Sequence, residues 1–192
     1  MALTTVEAWL GRGVDTYHEP DEMVLSYLRA FGPATVADIR TWSRLTGLRA
    51  VVERLRPRLR TFRDDRRREL FDVPDAPLPD PDALAPPRFL PLYDNVLLSH
   101  ADRTRIISDE YRKRIIAGGG MGSVGTVLVN GFVHATWKTE RIRGKVTLVI
   151  KPLGTLARDS RDALAQEGER LVHFMAEPEG AEAPEVRFVE TA

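Results

Sequence analysis

The stretch from Phe89 to Arg105 carries the polar side chains best placed to do chemistry. The polar members of this stretch are Asp94, His100, Asp102, Arg103 and Arg105. Carboxylate and imidazole groups can bind a metal ion or transfer protons, so the cluster could line the cleft of a hydrolase or a metalloenzyme. The apolar residues among them predict burial, and a buried charge is costly unless it is paired. The same cluster therefore also predicts internal ion pairs, with Asp94 and Asp102 facing arginines.

The histidine spacing argues against a metal centre. No second histidine stands near His100 in an H-x-x-x-H or H-E-x-x-H pattern, and His18, His134 and His173 are scattered along the chain. The sequence also lacks cysteine, which excludes disulfides, thiol catalysis and cysteine-ligated zinc. We therefore predict no metal, no cofactor and no catalytic residue, and we favour the structural interpretation of the cluster.

A glycine-rich segment offers a second motif, because Gly120, Gly122 and Gly125 match G-x-G-x-x-G. A dinucleotide site needs a strand before this motif and a helix after it. Here two β-rich runs follow instead, joined by Asn130-Gly131, which is a strong hairpin signal. A P-loop also fails, since no lysine follows Gly125. The glycines are predicted to form a flexible entry to the hairpin.

Charge is unevenly distributed, although the formal net charge is zero. Residues 40–68 carry a net charge of +8, residues 88–151 carry +6, and residues 159–192 carry −6. A basic body predicts an anionic partner, most often nucleic acid. The acidic tail leaves a protein-interaction scaffold open as an alternative, with the tail covering the basic face or mimicking DNA.

Helical spacing and capping residues organise the first part of the chain. Thr4 to Glu7 resembles a capping box, Asp21 and Thr35 are predicted to cap the next two helices, and a fourth helix follows Gly47. The spacing of apolar residues then changes from helical to alternating, with apolar and polar residues taking turns on either side of a turn at residues 64–67. This pattern predicts a β-hairpin. This order is typical of a winged helix-turn-helix.

In that arrangement the helix beginning at Leu48 takes the recognition position and the hairpin tip takes the position of the wing. The arginines predicted to contact DNA are Arg49, Arg54, Arg56, Arg66, Arg67 and Arg68. Those at the hairpin tip suit the phosphate backbone, whereas Arg49 and Arg54 are predicted to lie nearest the bases.

The predicted fold class is α+β, in two domains. Six of the thirteen prolines lie between Val73 and Arg88, so this segment is neither helix nor central strand. We assign residues 1–75 to a winged-helix domain with an N-terminal helical lead-in, 76–88 to a proline-rich linker and 89–192 to a β-rich domain. The second domain is predicted as a small β-meander, barrel-like, with a C-terminal helix through Met175 and a final strand at Val186–Val189.

The sequence contains no apolar run approaching the ~18 residues of a membrane span, and its N-terminus lacks the pattern of a signal peptide. Together with the absence of cysteine, this predicts a cytoplasmic protein with no membrane partner.

Three segments carry a family resemblance. The first, Tyr27 to Trp42, reads YLRAFGPATVADIRTW; the second, Leu90 to Arg103, reads LPLYDNVLLSHADR; the third is TVLVNG at Thr126–Gly131, followed by Trp137. In order and spacing they resemble the AlkZ/YcaQ-like family of winged-helix DNA glycosylases, over nearly the whole chain. The family chain is longer, with tandem winged helices before a β-rich domain, and this sequence resembles only its second half.

The resemblance implies excision of alkylated or crosslinked bases, which family enzymes perform with a Gln-x-Gln motif near their N-terminus. Gln166 is the one glutamine here, so no catalytic residue is carried over. We predict a winged-helix protein that binds double-stranded DNA and lacks the catalytic half. The alternatives are the C-terminal part of a split glycosylase, active only with an N-terminal winged-helix partner chain, and the interaction scaffold.

Overall fold

The structure is a computed structural model of the chain, and it describes residues 3–13, 19–80, 82–120, 122–142, 145–175 and 184–189. The chain divides between Ala76 and Pro77 into two compact units. The first unit therefore ends inside the proline-rich segment Val73–Arg88. The assignment of separate domains at 1–75 and 89–192 stays a prediction.

The first unit contains four α-helices among its described residues, then a 3₁₀ turn and a two-stranded antiparallel hairpin. These elements are α1 (Val6–Leu10), α2 (Asp21–Phe31), α3 (Val36–Ser43), α4 (Leu48–Leu55), the 3₁₀ turn Arg56–Arg58, β1 (Arg60–Arg63) and β2 (Glu69–Asp72).

Local capping explains where these helices start. The capping box predicted at Thr4 to Glu7, residues that the structure describes, is not found, because Thr5 caps α1 instead and accepts from the Ala8 amide. Thr35 caps α3 as predicted, in a complete capping box with Asp38.

The prediction that Asp21 caps α2 is wrong by one position. Asp21 is the first helical residue, and Pro20 stands at the cap without a side-chain hydrogen bond. In the first turn the Asp21 carboxylate still faces the positive end of the helix dipole.

The core of the first unit is formed where α2, α3 and α4 pack against the hairpin. Val24, Ile39 and Val52 are completely buried there. Tyr27 packs its ring against Phe31 and against Trp42, with centroid distances of 5.4 Å and 5.3 Å. The inward faces of three helices and one strand thus share one apolar cluster, which fixes the direction in which their outer faces point.

An acidic side chain is enclosed at the edge of this core. Asp72 is 1% exposed, its Oδ1 accepts a hydrogen bond from the Val73 amide at 2.8 Å, and it lies directly against Gly32. Burial raises the pKa of the Asp72 carboxyl group, although the Val73 amide and the nearby charge of Arg60 act in the opposite direction. Folding therefore favours the protonated form of this group.

We expect Asp72→Asn to raise the melting temperature at pH 7. A carboxyl group whose folded pKa exceeds its unfolded pKa binds more protons when folded, so the free energy of unfolding falls as pH rises between the two values. Asparagine keeps the acceptor for Val73 without the charge. The gain should shrink as pH is lowered to about 4, where the aspartic acid is itself increasingly neutral.

Thermal melts at several pH values measure this difference, with Asp65→Asn, an exposed acid of the same unit whose charge is not among the causes of the Asp72 shift, as the control. A variant that gains nothing over the control at neutral pH would show that Arg60 and the Val73 amide compensate the buried charge fully.

The second unit is a sheet covered by helices. Its described elements are β3 (Arg88–Leu90), α5 (Asn95–Leu98), α6 (Asp109–Ala117), β4 (Gly125–Val129), β5 (Phe132–Ile142), β6 (Lys145–Pro152), α7 (Arg158–Met175) and β7 (Glu185–Phe188). The strand order is β3-β4-β5-β6-β7, antiparallel except for the parallel pair β6 and β7, which α7 connects.

This topology corrects the predicted second domain. The meander includes a strand at Arg88–Leu90 that the sequence did not suggest. The helix through Met175 is a crossover between parallel strands, and the strand predicted at Val186–Val189 is found as β7 at Glu185–Phe188. The described strands form an open sheet with β3 and β7 at its edges, so the barrel-like closure is not found among them. The mixed α+β class is confirmed.

The two faces of the sheet are packed by different helices. On one face, Leu164 and Val172 of α7 pack on Leu148 and Ile150, and α7 comes closest at Gly168. On the other face, a second cluster joins α5 and α6 to part of the sheet; its buried members are Leu97, Ile107, Ile115, Val133 and Leu153. None of the helices in the described ranges is long and apolar enough to span a membrane.

The apolar run that follows Phe89 is only partly buried, so the prediction that it is wholly internal is wrong. Leu97 is buried, but Leu92 and Tyr93 are 49% and 67% exposed. The chain reverses at Tyr93, whose φ is +59°, and this turn divides the run between β3 and α5. Only the side chains that those two elements direct inward reach the core.

Candidate nucleic-acid interface

Helix α4 places one apolar face inward and one charged face outward. Its buried residues are Leu48, Val51, Val52 and Leu55. At helical spacing the intervening positions Arg49, Glu53 and Arg54 are exposed. Packing of α4 against α2 and α3 therefore holds two arginines on the surface of a fixed element.

The tip of the β1–β2 hairpin is organised by Asp64. Its backbone pairs with Arg68, its Oδ1 accepts from the Arg68 amide at 2.8 Å, and its Oδ2 accepts from the Arg68 guanidinium at 2.6 Å. Desolvation raises the pKa of Asp64, but the hydrogen bonds from Arg68 outweigh it and the pKa lies below its ordinary value. Asp65, Arg66 and Arg67 form the exposed loop beyond this closure.

Arg67 occupies an unusual backbone position, with φ of +60°. A left-handed residue at the end of a short hairpin loop is a common solution to the turn, and glycine usually occupies it. Arginine at this position holds its guanidinium at the tip, at some cost in backbone energy.

Two of the predicted DNA-contacting arginines are engaged in ion pairs at the other end of α4. Arg54 lies 3.0 Å from Glu19 and 2.9 Å from Asp21, and its hydrogen bond to Asp21 raises its pKa. Arg56 lies 2.8 Å from both Glu53 and Glu69 and stacks over the ring of Phe71. Arg56 thus fastens the end of α4 to β2.

Five of the six predicted arginines therefore fall into two groups. Arg54, Arg56 and Arg68 are in ion pairs, whereas Arg49 and Arg67 form no ion pair within the described ranges. Exposed ion pairs contribute little to stability, so an arginine in such a pair can exchange its carboxylate partner for a phosphate. Arg54, whose side chain is 52% exposed, is in a pair of this kind. The role of all six in DNA binding stays a prediction.

The sequence did not single out Arg63 at the outer end of β1. It is exposed and pairs in register with Glu69, so it continues the basic surface of the tip along the strand. The alternation of apolar and basic residues along β1 could have identified Arg63, because successive side chains of a strand point to opposite faces and Arg63 follows the apolar Phe62.

The cluster between Asp94 and Arg105 forms local contacts. Asp94 caps α5 by accepting from the Val96 amide at 2.8 Å, and among the described residues it has no arginine partner, contrary to the prediction. Asp102 accepts from the amide and the hydroxyl of Thr104 at 3.1 Å and 2.6 Å. Both aspartates are half-buried, so their charges remain partly hydrated.

The remaining members of this cluster are arranged around a buried histidine. His100 is 6% exposed, and its carbonyl oxygen accepts from Arg103 at 3.4 Å, while Arg105 is exposed. Within the described ranges, no group of three or more histidine and acidic side chains could hold a metal ion. The structure thus gives this cluster contacts that shape a loop, and its use as a site stays untested.

Known proteins show the same architecture. A family model described as DNA glycosylase AlkZ-like matches residues 2–174. Streptomyces sahachiroi DNA glycosylase AlkZ is a solved structure similar in fold, with a TM-score of 0.69 and 23% sequence identity over 95% of this chain. The match covers 50% of that structure, so the chain spans half its length. No curated protein matches the sequence.

Proposed function

The chain belongs to the AlkZ-like DNA glycosylase family, and we propose that, within a glycosylase-related role in DNA repair, it binds duplex DNA through a winged helix. In this proposal α4 is the recognition helix and the β1–β2 hairpin is the wing. Such a role requires access to the cell's DNA, as expected for a cytoplasmic protein.

The observation that carries this proposal is the arrangement of exposed arginines on adjoining rigid elements. Arg49 stands on the outer face of α4, and Arg66 and Arg67 stand at the tip of the hairpin. Phosphate contacts need cations held in fixed positions along a surface, and a helix packed on a core with a hairpin beside it supplies them.

The second part of the proposal is that the 192-residue chain does not excise bases by itself. Gln166, the one glutamine, lies on the exposed side of α7. Excision requires a positioned water or nucleophile at the sugar of the target base. The chain covers half of the AlkZ structure, which favours a second candidate function, the DNA-binding part of a glycosylase completed by a winged-helix partner chain.

We expect the purified 192-residue protein to bind duplex DNA and to release no alkylated base from it. The measurement is release of N7-methylguanine from methylated duplex, at protein concentrations where binding is first shown to be saturated. A family glycosylase that contains its glutamine pair is the positive control. Base release by this chain above the buffer rate would refute the proposal that catalysis needs residues it lacks.

A further inference from the structure

One edge of β5 extends beyond its neighbour. β4 pairs with β5 only as far as Gly125 opposite Trp137, whereas β5 continues along β6 to Ile142. Within the described ranges, no strand lies beside residues 138–142 on the side away from β6. Unpaired strand edges present backbone donors and acceptors to any extended chain that approaches them.

The alternation of backbone hydrogen bonds shows which groups are open. The Leu153 amide donates to the His134 carbonyl at 2.9 Å, and the register with β6 is continuous from Ala135 to Ile142. In an antiparallel pair the bonded positions alternate, so the main-chain groups of Lys138 and Glu140 point toward β6. Those of Thr139 and Arg141 therefore point to the open edge, and both residues are exposed.

Two hollows flank this edge, one on each face of the sheet, and share Val124, Trp137 and Lys138. The first has a volume of about 320 Å³, and its lining combines apolar side chains such as Val149 and Val189 with four charged ones, Lys138, Glu140, Lys151 and Arg187. The second, of about 310 Å³, reaches the end of α7 and is lined by apolar groups, including Leu92 and Met175.

The charged hollow favours an acidic side chain. Glu140 is shared by Lys138 at 3.0 Å and Arg187 at 2.7 Å, so one carboxylate serves two cations. Lys151 is exposed and makes no ion pair among the described residues. An incoming carboxylate would find an excess of positive charge.

We propose that the edge of β5 at Thr139–Arg141 is a strand-addition site for an extended segment of a partner protein that alternates acidic and apolar residues. Successive side chains of a strand point to opposite faces. Such a segment would therefore direct its acids into the hollow that Lys138, Lys151 and Arg187 line, and its apolar groups toward Leu92 and Met175. Its backbone would bond to Thr139 and Arg141. This site is independent of the DNA-binding surface proposed above.

The test uses a fluorescein-labelled heptapeptide in which glutamate and valine alternate. The control is the same peptide with lysine in place of each glutamate. We expect binding to the 192-residue protein by fluorescence anisotropy, and binding of the lysine peptide to be at least about tenfold weaker. Thr139→Pro removes the outward amide and should also weaken binding about tenfold, whereas Thr139→Ala keeps the amide and the affinity. Proline is tolerated where the strand amide faces solvent.

Backbone amide exchange in the parent protein gives a readout that needs no variant. The glutamate peptide should slow exchange at Thr139 and Arg141 more than at Lys138 and Glu140, whose amides already face β6. Equal affinity of the proline and alanine variants, or of the two peptides, would overturn the proposal. The proposal would also be overturned if single-stranded DNA, and not the peptide, slowed exchange at this edge. Slower exchange on raising the protein concentration alone would overturn it too, because it would indicate that a second copy of the chain occupies the edge.

Discussion

Gly125→Ala should destabilise the second unit by about 2–4 kcal/mol. A Cβ at this position would overlap the indole of Trp137 and come within 2.8 Å of the Leu90 carbonyl oxygen. The carbonyl belongs to the backbone of β3 and cannot rotate away. The same indole donates from Nε1 to that oxygen at 2.8 Å, so displacing the ring also breaks a hydrogen bond.

Calorimetric unfolding measures this loss, with Gly13→Ala as the matched control. An added Cβ at Gly13 meets nothing within 4 Å, and its φ is not positive. Trp137 fluorescence follows the same transition if Trp9 and Trp42 are first replaced by phenylalanine in both proteins. An unfolding temperature of the Gly125 variant equal to that of the control would mean that the strand and the indole can separate without cost.

The role of Gly125 illustrates what the sequence could not reveal. Its match to a phosphate-binding motif lacks the helix that such a motif needs, because the predicted hairpin follows it. The reason for glycine at this position is the close approach of Trp137, a residue of the next strand. Glycine is required at position 125 by a side chain twelve residues away, so the sequence around Gly125 does not show the reason for it.

Features with local causes were predicted well. The capping box of Thr35 and Asp38 is complete within four residues, and the Asn130-Gly131 turn has the positive φ values, +50° and +79°, that its composition favours. The hairpin around Asp64 lies where strict alternation indicated it. In each case neighbouring residues alone determine the backbone conformation.

Features with distant causes were not predicted. The ion pair between Arg54 and Glu19 joins residues 35 positions apart, and no spacing rule connects them. The partners of long charged side chains depend on which distant segments the fold brings together. Asp94, by contrast, is a miss with a local cause: it was expected to face an arginine, but it caps α5 and accepts from the amide two residues on.

The largest functional effect is expected from removing charge at the proposed DNA surface. The triple variant Arg49→Ala, Arg66→Ala and Arg67→Gly should weaken binding to every duplex. The loss from the two tip arginines should be the same for all sequences, and the loss from Arg49 should differ between sequences only if Arg49 reaches a base edge. The triple variant should also flatten the slope of log affinity against log salt by up to about three units, because each lost phosphate contact releases one fewer counterion. Alanine suits the exposed helical position of Arg49, and glycine suits the left-handed backbone at Arg67.

This choice of positions keeps the two ion pairs that hold the hairpin and α4 together. Arg68 and Arg56 are left in place, because Arg68 closes the hairpin on Asp64 and Arg56 joins α4 to β2. Removing either arginine would disturb the structure of this surface as well as lower its positive charge. A control triple at exposed arginines outside α4 and the hairpin, Arg29, Arg158 and Arg170, lowers the net charge equally.

Fluorescence titration of labelled duplex at low and moderate salt compares the parent, the surface triple and the control triple. Loss confined to the surface triple supports phosphate contacts at α4 and the wing, and equal loss in both triples indicates only a general response to net charge. A parent protein that fails to bind at low salt, or a surface triple that binds as the parent does, would contradict the winged-helix proposal. Arg54→Ala then addresses the bases: it should affect one sequence more than another only if Arg54 leaves Glu19 and Asp21 to reach a base edge.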